Sequence, residues 1–231
     1  MADPLALAAT VVLLRDGPDG AEVLLLERPH DRGSFAGAWV FPGGSVDPGD
    51  SDDIDPDDAD TAEDRALRRA AVRETLEETG LAVTADALVP VARWHPPREA
   101  QKRLVTTFYA AAAPAGDVRL AEAEAVALAW LRPSDALARH AAGTLLLFPP
   151  TWVTLHAFVG ARSVAETMAE AARRPREEFR TRFTADRTVA LWQDDSAYAD
   201  DGMLEADGVR HRLTVSALPW IYERTATSRS T

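Results

Sequence analysis

Residues 9–15 (ATVVLLR) and 22–28 (EVLLLER) are near-continuous runs of Val and Leu, separated by Asp16-Gly17-Pro18-Asp19-Gly20. Short apolar runs punctuated by Gly and Pro predict two strands around a tight turn. Trp39-Val40-Phe41 predicts a third, stopped by Pro42-Gly43-Gly44. Thr61 with Asp64 three residues on resembles a capping box, and opens a helix that runs to Gly80. Val72 and Leu76, one turn apart, are expected to anchor that helix to a sheet. Further strands are predicted at 81–83, 88–94, 103–112 (RLVTTFYAAA) and 124–131 (EAVALAWL). Pro133-Ser134-Asp135 starts a short helix to His140. Phe148-Pro149-Pro150-Thr151-Trp152 opens another to Phe158, and 164–174 forms a third. Two strands near 188–192 and 210–217 follow, then Trp220-Ile221-Tyr222. No internal repeat is visible.

Composition narrows the function. The chain has 231 residues, a formal net charge of −12 and a sequence pI near 4.8. Such a surface disfavours nucleic acid or an anionic membrane as the main partner. There is no cysteine, so disulfides, thiolate zinc sites and cysteine nucleophiles are excluded. The five histidines are scattered without the spacing of a zinc hydrolase. The apolar N-terminus lacks a basic leading segment and carries Asp3, which suggests a strand rather than a signal peptide. No run reaches the roughly 18 apolar residues of a spanning helix. A cytoplasmic location is the expectation, and a homodimer stays open.

The block VDPGDSDDIDPDDADTAED (46–64) is densely acidic and lacks the central glycine and spacing of a calcium loop. A like-charge block repels itself, so a solvated loop is expected there. The chemistry lies just beyond, in Arg73-Glu74-Thr75-Leu76-Glu77-Glu78-Thr79-Gly80-Leu81. On a helix, Glu74, Glu77 and Glu78 fall within an arc of roughly 100°. Like charges at i,i+4 cost about 0.2–0.5 kcal/mol. Carboxylates at a helix C-terminus also oppose the macrodipole, by roughly 0.3–1 kcal/mol. Three carboxylates gathered against local energetics point to a hard divalent cation, Mg2+ or Mn2+.

Gly44 followed by Arg73-Glu74-x-x-Glu77-Glu78-x-Gly80-Leu81 resembles the signature of the Nudix hydrolases. Their pattern is glycine, five residues, glutamate, seven residues, then Arg-Glu-hydrophobic-x-Glu-Glu-x-Gly-hydrophobic. Here Thr75 takes the hydrophobic position, Asp50 stands for the first glutamate, and the acidic block lengthens the stretch from Asp50 to Arg73. Phe35-Ala36-Gly37-Ala38-Trp39-Val40-Phe41-Pro42-Gly43-Gly44, the insertion, Arg103-Leu104-Val105-Thr106-Thr107-Phe108-Tyr109 and Phe148-Pro149-Pro150-Thr151-Trp152 are similar to the acyl-CoA diphosphatase-like branch, related to the mammalian peroxisomal enzyme. A stricter coenzyme A motif, with arginine and glycine four apart before Phe-Pro-Gly-Gly, is not met, because Arg32 and Gly37 are five apart.

The resemblance implies an α+β Nudix fold, an α/β/α sandwich around a mixed sheet. It would occupy 1–142, with the acidic insertion at about 47–62 and a helical and strand extension, 143–231, packed on it. It implies metal-dependent hydrolysis of a nucleoside diphosphate conjugate, of coenzyme A or acyl-CoA type, by attack of a metal-activated water on phosphorus. Gly43, Glu74, Glu77 and Glu78 would hold Mg2+ or Mn2+. Glu77, Glu78, Glu122 and Glu124 are the candidate bases, and Arg73 would orient the glutamates through charge-assisted hydrogen bonds. Arg28, Arg32, Gly44 and Arg103 are the candidate substrate contacts. Trp39, Trp94, Phe108 and Tyr109 could stack a base, although strand aromatics are more often core. Two alternatives stand beside this one: the same chemistry on ADP-ribose, a nucleotide sugar or NADH, and a Nudix-fold binding or regulatory module.

Overall fold

A computed structural model describes residues 5–31, 35–52, 59–100, 103–121 and 123–225. The first two apolar runs form the long hairpin β1 (Ala6–Gly17) and β2 (Gly20–Glu27). They are followed by the two-residue β3 (Trp39–Val40) and by β4 (Gly43–Ser45). The double glycine therefore does more than stop a strand, since Gly43 and Gly44 pair with Thr10 and Ala9 of β1. After a 3-10 turn at Pro48–Ser51 comes α1 (Ala59–Thr79). Then β5 (Val89–His95), β6 (Leu104–Ala112) and β7 (Ala127–Leu131) complete the first part. Residues 81–83, expected as a strand, are irregular, and Leu81 and Val83 are simply buried against the sheet.

The order in the main sheet is β3-β2-β1-β6-β5, with β4 added beside β1 and β7 beside β2. β1 and β6 run parallel over nine paired positions, while the other pairs of this part are antiparallel. Both faces of β1 and β2 are covered, which explains the unbroken apolar runs. Val11, Leu13, Leu24 and Leu26 turn to one face, where Leu67, Ala70 and Ala71 of α1 pack. Val12, Leu14, Val23 and Leu25 turn to the other. That is the period-two alternation of a strand, hidden in the sequence because both phases are apolar.

Two expectations about α1 are corrected. The helix begins at Ala59, so Thr61 lies within its first turn and is not the cap. Its inward stripe runs through Leu67, Ala71, Thr75 and Thr79, and Leu76 is 48% exposed. The small side chains on that stripe let the helix sit close to the sheet. Thr79 also earns its inward place locally, because its hydroxyl donates to the Thr75 carbonyl at 2.5 Å and accepts from the Leu81 amide at 3.1 Å. Gly80 closes the helix by donating to the Leu76 carbonyl.

The second face is covered by α2 (Pro133–Ala141), α3 (Pro149–Ala157) and α4 (Val164–Arg173). Prolines begin α2 and α3, where a missing amide costs nothing. Beyond them, β8 (Glu177–Arg180) joins the main sheet parallel to β5, an addition absent from the sequence reading. The remaining strands, β9 (Arg182–Phe183), β10 (Val189–Leu191), β11 (His211–Thr214) and β12 (Ile221–Arg224), make a separate antiparallel sheet in the order β12-β11-β10-β9. Asp195 ties its loops together. It accepts from Arg212 Nε at 2.7 Å and from the His211 and Ala197 amides at 2.7 and 2.8 Å.

Trp94, Phe108 and Tyr109 are buried at 4%, 6% and 0% exposure, so they are core and not a stacking surface. Trp39 is partly buried against the same core. No helix among the described residues is long and apolar enough to cross a membrane.

Candidate active site

Three elements converge at the C-terminal half of α1. β1 supports the short β4, β4 lies against α1, and the loop before β7 hangs from the end of α1. That loop is fixed by the Arg119 amide donating to the Thr79 carbonyl and the Ala121 amide donating to the Glu78 carbonyl. Glu124 follows directly, held by a bond from its amide to the Ala121 carbonyl.

The glycines of β4 are there for contact. Gly43 has φ of +151°, and a Cβ there would lie 2.3 Å from the Ala9 carbonyl oxygen. A Cβ on Gly44 would lie 2.3 Å from Glu74 Oε1. Only glycine lets the Glu74 carboxylate approach this backbone. The Gly43 amide in turn donates to Glu78 Oε2 at 2.8 Å.

Glu78 is 6% exposed. Burial is the main reason its pKa rises to about 7, and the charges of Glu74 and Glu124 push the same way. The Gly43 amide and Arg28 oppose the rise. Burial also raises the pKa of Glu74, against a hydrogen bond from Arg73. Two desolvated carboxylates side by side, with a third nearby, are short of positive charge.

Arg73 supplies part of it. Its Nη1 donates to Glu74 Oε1 at 2.8 Å and to Glu77 Oε2 at 3.2 Å. Its Nη2 reaches the Ser45 carbonyl at 3.0 Å and Asp50 Oδ2 at 2.9 Å. The Asp50 hydrogen bond is the largest reason that the guanidinium is held protonated, well above its ordinary range.

Asp50 corrects the expectation of a wholly solvated acidic loop. It is 6% exposed and accepts from the Asp47 amide at 2.8 Å as well as from Arg73. Burial disfavours its charge, yet the hydrogen bonds from Arg73 and Asp47 win and its pKa falls. Arg69 adds a hydrogen bond to the Asp50 carbonyl at 3.4 Å. The start of the insertion is thus pinned to α1. Residues 53–58 lie outside the described residues. Ser45 and Asp47 are contributors that sequence reasoning missed; only their closeness to Gly44 hinted at them.

Of the other candidates, Arg28 is near enough to lower the Glu78 pKa, and its Nε is buried without a partner among the described residues. Its amide donates to the Ala38 carbonyl, which fixes it beside the segment leading to β4. Arg103 stands just before β6, with a buried, unpartnered Nε and no ion pair to these carboxylates among the described residues. Glu77 is half-exposed and turned to Arg73. Arg32 and Glu122 lie outside the described residues.

The donor set suits a hard divalent cation: carboxylate oxygens raised in pKa by burial, and glycines that keep backbone within reach. Among the described residues, no three carboxylates or imidazoles already converge on one point. Glu77 pairs with Arg73, and Glu78 gives one oxygen to the Gly43 amide.

The family model for the NUDIX domain matches residues 4–149, more than half of the chain, and the chain belongs to the Nudix hydrolase family. It is a pyrophosphohydrolase by fold and family. The structure is similar to a Nudix hydrolase from Alicyclobacillus acidocaldarius, with 25% identity and a TM-score of 0.65, covering 76% of this chain and 100% of that one. A MutT Nudix hydrolase from Burkholderia pseudomallei aligns at 24% identity and a TM-score of 0.50, covering 68% and 99%. The Nudix domain of Shewanella oneidensis NrtR, solved with ADP ribose, aligns at 19% identity and a TM-score of 0.50, covering 67% and 86%. These last two share the fold. No curated protein sequence matches the chain.

Proposed function

We propose that this enzyme hydrolyses the diphosphate bridge of a coenzyme A or acyl-CoA type conjugate, using Mg2+ or Mn2+. The observation that carries the chemistry is the pair Glu74 and Glu78, desolvated behind Gly43-Gly44 with Arg28 and Glu124 beside them. Glu74, Glu77, Glu78 and the Gly43 carbonyl would hold the cation. When bound, such an ion neutralises diphosphate oxygens and lowers the pKa of a coordinated water.

The chain's own groups do the rest. Arg73 fixes Glu74 and Glu77 and is itself fixed by Asp50, so it is a positioning residue. The closeness of Arg28 to Glu78 and its Nε without a partner among the described residues support a role for it in meeting a phosphate oxygen. Glu78, with a pKa near neutrality, and the exposed Glu124 are the groups able to take a proton from an attacking water.

The coenzyme A assignment rests on the segments around Phe35–Gly44, 103–109 and 148–152 and on the insertion within the box. Incubation with coenzyme A, acyl-CoA, ADP-ribose, a nucleotide sugar and NADH, each with Mg2+, tests it by product mass. Release of 3′,5′-ADP and phosphopantetheine is the expected result. Inert CoA esters alongside cleaved ADP-ribose would move the substrate and keep the chemistry. No turnover of any of them, with binding retained, would favour a binding module.

A further inference from the structure

A cavity of about 560 Å3 lies away from the carboxylates, between β5, α3, α4, β8 and β12. Its strand residues Ala92, Trp94 and Phe179 belong to the core on the face of the sheet opposite α1. β5 is also separated from β1, which carries β4, by the whole of β6. The volume is that of a small-molecule site.

The walls are aromatic, from Trp94, His156, Phe158, Phe179 and Tyr222. Phe179 stacks on Trp94 with centroids 3.9 Å apart, and the His156 ring meets Tyr222 edge-on at 5.1 Å. Three polar atoms in these walls have no hydrogen-bond partner among the described residues: Trp94 Nε1 and Thr154 Oγ1, in residues only 4% and 5% exposed, and Tyr222 Oη. Each such buried group costs roughly 1–3 kcal/mol when unsatisfied. The indole can only donate, whereas the two hydroxyls can donate or accept. A helical threonine divides between two χ1 rotamers, so the Thr154 hydroxyl can turn toward an occupant.

The rim carries three arginines and three glutamates, already matched with each other. Arg162 pairs with Glu166 at 3.3 Å, Arg224 with Glu177 at 2.8 Å, and Arg174 with Glu170. With the charges balanced in pairs, nothing on the rim selects for a ligand of either sign. Walls of this kind suit a neutral planar molecule with an acceptor for the indole and polar atoms for the Thr154 and Tyr222 hydroxyls.

We propose that this cavity is a second ligand site, apart from the catalytic carboxylates, for a neutral planar heteroaromatic of the purine nucleoside kind. Its walls come from β5 of the main sheet and from the segment after residue 149, so an occupied site fastens the two together.

Adenosine titrated calorimetrically into the full chain, with EDTA present, tests this. Saturable binding is expected. Thr154→Val should weaken it roughly fivefold or more, and Ala171→Phe, which fills the cavity from α4, should abolish it. Both variants should keep wild-type turnover, and Glu74→Gln should bind adenosine as the wild type does. No saturable binding up to about 5 mM adenosine, or unchanged affinity in Thr154→Val, overturns the proposal. Binding lost in Glu74→Gln but kept in Thr154→Val also overturns it, because the nucleoside then sits at the carboxylates.

Discussion

Asp50 and Arg73 meet in a two-point ion pair, Nη2 to Oδ2 at 2.9 Å and Nε to Oδ1 at 3.3 Å, across 23 residues of sequence. The same guanidinium holds Glu74 and Glu77. One carboxylate therefore sets the orientation of two others through a shared arginine.

Replacing Asp50 should reach the site without touching substrate. Asp50→Asn removes the charge while Arg73 remains half-buried, and should lower unfolding stability by about 2 kcal/mol. Turnover should fall tenfold or more as Glu74 drifts. Asp50→Glu, the residue of the family pattern, should restore most of the activity. Urea unfolding and steady-state kinetics on both variants give the comparison, and full activity in Asp50→Asn would refute the positioning role.

Gly44→Ala separates contact from folding. Its φ is one that alanine accepts, so the loss would come from the new Cβ displacing Glu74. Activity should drop on the order of 100-fold with circular dichroism unchanged. A variant as active as the wild type would show that Glu74 need not occupy this place.

Glu78 makes stability of the metal-free protein depend on pH. Its folded pKa of about 7 exceeds the ordinary 4.5, so the native state binds the extra proton between these values. Its stabilising share is present at low pH and is lost as pH rises through 7, by on the order of 3 kcal/mol at full effect. Urea unfolding in EDTA should show this fall between pH 5 and pH 8. Glu78→Gln should flatten it, and so should Mg2+ or Mn2+, which favour the charged carboxylate. A fall of the same size in Glu78→Gln would assign it to other groups.

Thr75 is fully buried, and its hydroxyl has no hydrogen-bond partner among the described residues. Thr75→Val keeps the shape and removes the unsatisfied oxygen, so unfolding stability should rise by about 1 kcal/mol with turnover kept. A loss of stability on urea unfolding would reveal a partner, such as bound water, for that hydroxyl.

The amino-acid sequence by itself determined the local elements: the hairpin runs, the glycine turn, the carboxylate helix and its end at Gly80. Each of these follows from spacing and from residues with restricted or unusual backbone freedom, which act over a few positions. The site was legible to the same depth, because Glu74, Glu77 and Glu78 conflict with helix energetics within one short stretch. Tertiary structure decided the rest. Leu76 turned outward and Thr75 inward because the sheet chose the packed stripe, which a weakly amphipathic helix does not announce. Asp50, inside a block that reads as solvated, is buried because Arg73 comes back to meet it. Glu124 nears Glu78 only because its loop hangs from the end of α1, and β8 finds β5 across some 80 residues. Contacts between distant positions leave no periodic trace in a single sequence, so only the folded chain shows which carboxylates lose water together and which keep it.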